Sequence, residues 1–253
     1  MRFFFTLTAA CVLVLPFAVH AQRGGPGRGA PVTAREGAAI DLTGYWVSVI
    51  SEDWKFRMVT PKKGVYDSLT LNAEGRRVAD TWDPAKDEAA GEQCRAYGAA
   101  NIMRIPGRLH VAWQDPNTLQ IDTDAGTQTR LIRFGAAGEA APALEKTPSW
   151  QGLSIGQWEY APGARGGPRL GNLKVVTTNL RPGYVRKNGA PYSDKTVVTE
   201  FYDLNSAPNG DNWMTVTTKV EDQVYFARPY LTTTDFKKLP DATGWNPTPC
   251  SAR

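Results

Sequence analysis

The sequence predicts a mainly β protein, an antiparallel barrel of short strands accompanied by two short helices, and three observations predict it. Runs rich in Val, Ile, Thr and aromatic residues recur along the chain, with Gly, Pro, Asn and Asp between them. Helical signals are few and stand together early in the chain. Many short antiparallel strands in one domain leave exposed edges unless the sheet closes on itself.

The strand runs are Tyr45 to Ile50, Trp54 to Val59, Leu109 to Gln114, Leu119 to Thr123, Thr129 to Phe134, Leu173 to Leu180, Thr196 to Leu204, Trp213 to Val220 and Tyr230 to Phe236. The helices are Ala73 to Trp82, behind an Asn72 cap, and Ala85 to Tyr97; both belong near the barrel mouth. The stretch GLSIGQW, Gly152 to Trp158, matches the G-x-S-x-G pattern of a hydrolase elbow. Such an elbow needs a helix after the Ser and a later His, and no His follows His110. The stretch therefore reads as a bent strand carrying Trp150 and Trp158, and Ser154 is not a nucleophile.

The N-terminus carries an export signal. Arg2 precedes an apolar run from Phe3 to Ala18, and Val19-His20-Ala21 supplies the small residues of a cleavage site after Ala21. Thr8-Ala9-Ala10-Cys11 loosely resembles a lipobox but leaves almost no apolar run before it. Residues 1–21 are thus a signal peptide, residues 22–39 a flexible Gly/Pro/Arg leader, and residues 40–253 a single domain. No later segment approaches the roughly 20 apolar residues of a membrane span, so the expectation is a periplasmic or secreted protein without stable membrane insertion.

The chain has 29 Lys and Arg against 25 Asp and Glu. The cations are scattered rather than gathered into a stripe with stacking aromatics, which argues against nucleic acid as a partner. Of three cysteines, Cys11 leaves with the signal, and Cys94 and Cys250 form an even pair in an oxidising compartment. Their disulfide would tie the C-terminus to the body and stabilise it by roughly 4 to 5 kcal/mol on a chain-entropy model. Two sulfurs and one distant His have no recognised ligand spacing, so no metal or other cofactor is expected.

Hairpin register locates candidate chemistry. Leu109, Val111 and Trp113 share a face with Leu119 and Ile121 if the loop is Asp115-Pro116-Asn117. That register sets His110 opposite Asp122 and, if the next hairpin keeps its faces, brings Arg130 beside them. A carboxylate facing the one mature histidine suits a general acid or base, whereas on a solvated face the trio is an ordinary ion-pair cluster. Further along, Asn188-Gly189 reads as a two-residue turn that pairs Val185 with Tyr192, with Pro191 at an edge or on a projecting flap. Tyr184, Arg186 and Tyr192 on such a flap could close over a ligand. Glu200 shares a strand face with Val198 and Tyr202, where a carboxylate is either paired or a proton carrier. Eight tryptophans and many Thr-rich strands fit a pocket of rings and hydroxyls, with Trp158 among its walls.

DLTGYWVS, Asp41 to Ser48, resembles the opening of lipocalin-like barrels, whose G-x-W motif marks the first strand; here it is Gly44-Tyr45-Trp46. A C-terminal disulfide tether is similar too. DLTGYW, RKNGAPYS and TTTDFKKLPD together resemble exported bacterial proteins of unknown function. The resemblance implies a barrel whose Trp46 plugs a closed end.

The expected function is binding of a small apolar or aromatic ligand. The alternative is a metal-free lyase, isomerase or hydratase in which His110, Asp122 or Glu200 moves a proton and Tyr192 or Arg186 stabilises negative charge. In the binding reading Arg130, Trp158, Tyr184, Arg186 and Tyr192 contact the ligand. An envelope interaction protein with a packed interior is the third option.

Overall fold

A computed structural model describes residues 33–135, 147–161 and 170–253; the expected signal peptide and residues 22–32 of the leader lie outside these. The strands are β1 (Gly44–Val49), β2 (Arg108–Asp115), β3 (Thr118–Thr123), β4 (Gln128–Arg133), β5 (Leu153–Tyr160), β6 (Gly171–Thr178), β7 (Gly183–Arg186), β8 (Ala190–Tyr192), β9 (Val197–Ser206), β10 (Asn212–Glu221) and β11 (Tyr230–Leu239). Three short helices, α1 (Trp54–Arg57), α2 (Ala73–Ala79) and α3 (Pro84–Ala89), lie between β1 and β2.

Among the described residues, nine strands close a barrel in the order β1-β11-β10-β9-β6-β5-β4-β3-β2, with β7-β8 as a separate ribbon. The barrel is mixed rather than wholly antiparallel. Strands β4 and β5 run parallel, pairing Ile132 with Ser154 and Arg133 with Ile155. A parallel pair needs a long return connection, and residues 134–152 supply one.

Alternation sets the inside. In β10 the even positions from Met214 to Val220 are buried and the odd ones part-exposed, the pattern of a strand with one face in a core. Trp46, Val111, Ile121, Leu173, Tyr202 and Phe236 belong to the main core. Trp46 is fully buried, and its indole Nε1 donates to Leu42 O at 2.9 Å.

The ribbon and helices contribute to a second core that includes Leu71, Ala79, Val185, Tyr192 and Phe226, together with Val198 from the start of β9 and Val220 from the end of β10. They therefore cap that end of the barrel. At the opposite end Trp113, Phe134 and Trp158 cluster, with Phe134 and Trp158 stacked at 5.4 Å between centroids.

Several local expectations shift. The predicted strand Trp54 to Val59 is the one-turn helix α1, because Asp53 enters the left-handed region at φ 50° and its carbonyl accepts from Phe56 and Arg57. Asn72 does cap α2, accepting from Gly75 N at 2.8 Å. The second predicted helix is cut to Pro84–Ala89 because Gly91, at φ 70°, closes a Schellman motif: Gly91 N donates to Glu88 O and Glu92 N to Asp87 O.

The Asn188-Gly189 turn spans three residues, with Arg186 paired to Ala190 and Gly183, not Val185, to Tyr192; Val185 falls in the register shift. Asn188 is fully buried and donates to Val65 O, while Gly189 lies under Trp82, so tertiary contacts fix the turn. The ribbon is no exposed flap, since every residue of β7 and β8 is buried.

The leader's last residues are ordered onto the barrel. Ala34 N donates to Asn117 Oδ1 and Arg35 N to Pro116 O, while Trp158 Nε1 donates to Ala34 O and the Tyr160 hydroxyl to Gly37 O. Cys94 and Cys250 form the expected disulfide, 156 residues apart in sequence. Such a bond suggests an oxidising, extracytoplasmic setting.

Candidate functional site

The β2–β3 hairpin has the predicted register: Trp113 faces Leu119, Val111 faces Ile121 and His110 faces Asp122. Because Val111 and Ile121 point into the core, His110 and Asp122 point outward. Strand β1 sets Tyr45 beside His110, and the two rings stack at 4.4 Å with an interplanar angle of 19°. Asp122 is held from two sides. Its Oδ1 accepts from Thr129 Oγ1 at 2.6 Å and its Oδ2 from Gln120 Nε2 at 2.7 Å, leaving Oδ2 3.8 Å from His110 Nδ1.

The C-terminal segment builds the opposite wall. Thr248 N donates to Asp124 O, Thr127 Oγ1 donates to Thr248 O, and the disulfide fixes the strap two residues later. Trp245 then meets Tyr45 edge-on at 6.0 Å. The result is a groove of about 290 Å³ lined by Tyr45, His110, Asp122, Gln128, Trp245 and Pro247, among others. Its volume is close to the lower bound for small-molecule sites, and its mix of ring faces with a few polar groups is typical of them.

Arg130 does not join that pair. It stands opposite Ile121, while Thr129 stands opposite Asp122; one step along a strand reverses the face. Arg130 instead points into the barrel and grips Glu200 with two hydrogen bonds, Nη1 to Oε1 at 3.1 Å and Nη2 to Oε2 at 2.7 Å. Both side chains are completely buried. Ser154 Oγ and Thr177 Oγ1 accept from Arg130 Nη2 and lie 2.8 Å apart. Burial, the largest single influence, lowers the Arg130 pKa, but the charge and hydrogen bonds of Glu200 together with Tyr202 outweigh it and hold the guanidinium above its ordinary value. The Tyr202 phenol is pushed up by burial and then by Glu200, so it stays neutral. Ser154 thus answers to a guanidinium and a threonine, not to a base.

The lumen around this pair is filled. Trp46, Ile132, Leu173, Val175, Val198, Tyr202 and Val216 have no exposed surface, so no water-sized sphere touches them. A ligand pocket of lipocalin type, open inside the barrel, is not present at these positions.

The remaining predicted residues are dispersed. Trp158 belongs to the aromatic cluster at the far end. In the cap, the Tyr184 hydroxyl donates to Asp87 Oδ2 at 2.9 Å beneath Arg95, and Tyr192 is 1% exposed, packed where a Cβ on Gly98 or Gly183 would meet it. Burial raises both phenols' pKa values. Arg186 donates to Asp67 O and Ser68 Oγ. The structure therefore unites His110 with Asp122, and Arg130 with Glu200, and joins neither pair to the other.

Sequence reasoning missed Tyr45, Gln128 and Trp245. The disulfide was a signal for Trp245, since it had to bring the tail against the wall near Cys94. Among the described residues, no group of three or more His, Cys, Asp or Glu side chains could hold a metal ion.

Comparison adds no relative. A scan against protein-family models, a search of curated proteins and a search of solved structures each found no match.

Proposed function

We propose that the protein binds a small, flat, amphipathic aromatic molecule, and that it does so in the outer groove rather than in the barrel lumen. The observation that carries this reading is the stacked Tyr45–His110 face, met edge-on by Trp245 and bordered by the Asp122 carboxylate. An aromatic ring set against such a face gains about 0.5–1.5 kcal/mol per ring pair beyond its buried area. A carboxylate has about four lone-pair sites, so Asp122, with two hydrogen bonds already made, can accept from a ligand hydroxyl or amine. In this reading the protein acts outside the cytoplasm as a lipocalin-like barrel, with Trp46 in the place of the family's first-strand Trp.

The catalytic alternative has the approach of His110 to Asp122 in its favour. Glu200, Arg186 and Tyr192 lie elsewhere, so the groove holds His110 and Asp122 but neither of the anion-stabilising groups that reading used. Binding is the better-supported function.

The test is a titration of the mature protein with aromatic acids, phenols and aromatic amines, followed by thermal unfolding and tryptophan fluorescence. A true ligand at 100 times its dissociation constant adds about 2.7 kcal/mol of stability. His110→Ala and Trp245→Ala should each abolish that gain. No stabilisation from any class, or a gain that survives both substitutions, sinks the proposal.

A further inference from the structure

A second concave site lies in the cap, remote from the groove in its lining residues. A cleft of about 40 Å³ is lined by Phe56 and Arg57 of α1, Asn101 and Arg104 around the 3-10 turn Ile102–Arg104, and Arg186 and Lys187 at the ribbon tip. That is room for a group of a few atoms rather than for a ring system.

Its charge is not balanced. Arg57 pairs with Glu52, and Arg104 with Asp53 at 2.9 Å. Arg186 has, among the described residues, no carboxylate at ion-pair distance, although the field of Asp53 reaches it. Its donors go to a backbone carbonyl and a serine hydroxyl and it also interacts with the Tyr230 phenol, while its guanidinium lies 4.4 Å over the Phe56 ring. Lys187 adds a fourth cation. Asp235 is the further carboxylate whose field reaches Arg57, and it is already bound by Ser51 and Thr215.

Two guanidinium nitrogens in this cluster, Arg57 Nη2 and Arg104 Nη1, are buried without a hydrogen-bond partner. The side chains that carry them are 2% and 6% exposed. A buried donor on a charged group is costly to leave unpaired, and here two such donors belong to side chains that line one cleft. Arg57 and Arg186 also have lowered pKa values, chiefly from burial, with Arg104 adding repulsion to each. An anion between these cations would relieve the repulsion, and a small turn of the Arg57 and Arg104 side chains would bring the unpaired donors to it.

We propose that this cleft is a binding site for a phosphate group, held by Arg57, Arg104, Arg186 and Lys187. Forked guanidinium donors suit phosphate oxygens, and several cations with only part of their charge neutralised call for an anion of more than one charge. The same α1 segment exposes Trp54, Met58 and Val59, at 65%, 60% and 69%. Apolar side chains flanking a phosphate pocket fit a phospholipid headgroup as well as free phosphate, and the experiment separates these two sources.

The mature protein is titrated with sodium phosphate by calorimetry and thermal unfolding, against sodium chloride and sodium acetate at matched ionic strength. It is also sedimented with vesicles of phosphatidylglycerol or of phosphatidylcholine. Phosphate should bind and raise the unfolding temperature where chloride and acetate do not. Lys187→Glu, at the part-exposed tip, should weaken phosphate binding at least about tenfold, the equivalent of 1.4 kcal/mol; Arg104→Lys, which keeps the charge but loses the fork, should weaken it less. If the headgroup is the source, phosphatidylglycerol vesicles retain the protein, phosphatidylcholine vesicles do not, and Trp54→Ala with Met58→Ala releases it while leaving free-phosphate binding intact. Equal responses to phosphate, acetate and chloride overturn the proposal, as does phosphate binding unaltered in Lys187→Glu.

Discussion

Arg130 and Glu200, seventy residues apart, meet as a doubly hydrogen-bonded ion pair in the barrel interior, with neither side chain exposed. Removing one charge strands the other where water cannot reach it. Glu200→Gln or Arg130→Met should therefore destabilise the fold by about 3–5 kcal/mol. Replacing both by apolar residues of similar volume should recover most of that loss, because the pair's own attraction largely offsets its desolvation. Urea unfolding of the two single variants and the double variant decides the point. A double variant as unstable as the sum of the singles would mean that Ser154, Thr177 and Tyr202 need the charges as much as the charges need each other.

High pH should unfold the protein through its tyrosines. Tyr66 is pushed up to about 12, by burial first and then by its hydrogen bond to Asp80. Tyr184, Tyr192 and Tyr202 are raised as well, burial being the leading cause in each. Above the ordinary phenol value of about 10 the native state binds more protons than the unfolded chain, so stability falls as pH rises. The contribution is whole below pH 10 and is lost as pH climbs through 12 and beyond. Phenolate absorbance should rise only for the more exposed tyrosines until unfolding releases the rest. A protein whose urea midpoint is flat from pH 9 to 11.5 would contradict this.

Register was legible in the sequence where loop length and alternation spoke together. Asp115-Pro116-Asn117 and the flanking apolar residues required Val111 opposite Ile121, and His110 then had to meet Asp122. Arg130 was different: one step of register decides whether it faces out or in, and inward arginines are uncommon enough that pattern reading places them outside. Its partner stands on a strand that is distant in sequence. Glu200 was recognised as sharing a face with Val198 and Tyr202, and of the two options its setting allowed, ion pairing is the one realised. The helix end at Gly91 was written in the chain as a glycine behind a run of helix formers. Nothing local announced that the Asn188-Gly189 turn would be buried under Trp82.

The ordered end of the leader predicts a cost of truncation. Residues 33–39 make four hydrogen-bonded links to the β2–β3 loop and to β5, two of them to the side chains of Trp158 and Tyr160. Each such bond is worth about 0.5–1.5 kcal/mol net, less the entropy of ordering the segment. A chain beginning at Ile40 should lose about 1–3 kcal/mol in stability. Its tryptophan emission should shift to the red as Trp158 gains water. Unchanged emission and midpoint would show that the segment lies on the barrel without holding it.

The disulfide should control both stability and ligand binding, because the strap it anchors is one wall of the groove. A bond closing a loop of 156 residues is worth about 4–5 kcal/mol by chain entropy, so Cys94→Ser with Cys250→Ser should lower the urea midpoint strongly. The barrel strands themselves are paired without the strap, and far-ultraviolet circular dichroism should stay close to that of the oxidised protein at low temperature. Ligand binding should suffer more than the fold. Trp245 and Pro247 stand just before Cys250, and with the bond gone the strap keeps non-covalent links alone: hydrogen bonds at Trp245, Thr248 and Ser251, the Tyr45–Trp245 ring contact and the Arg253–Glu88 ion pair. Affinity for the aromatic ligand should drop at least about tenfold, 1.4 kcal/mol, under conditions where the reduced protein is still folded. Equal affinity in the oxidised and cysteine-free proteins would mean that the β1–β4 wall alone makes the site and that the strap is a staple for the fold.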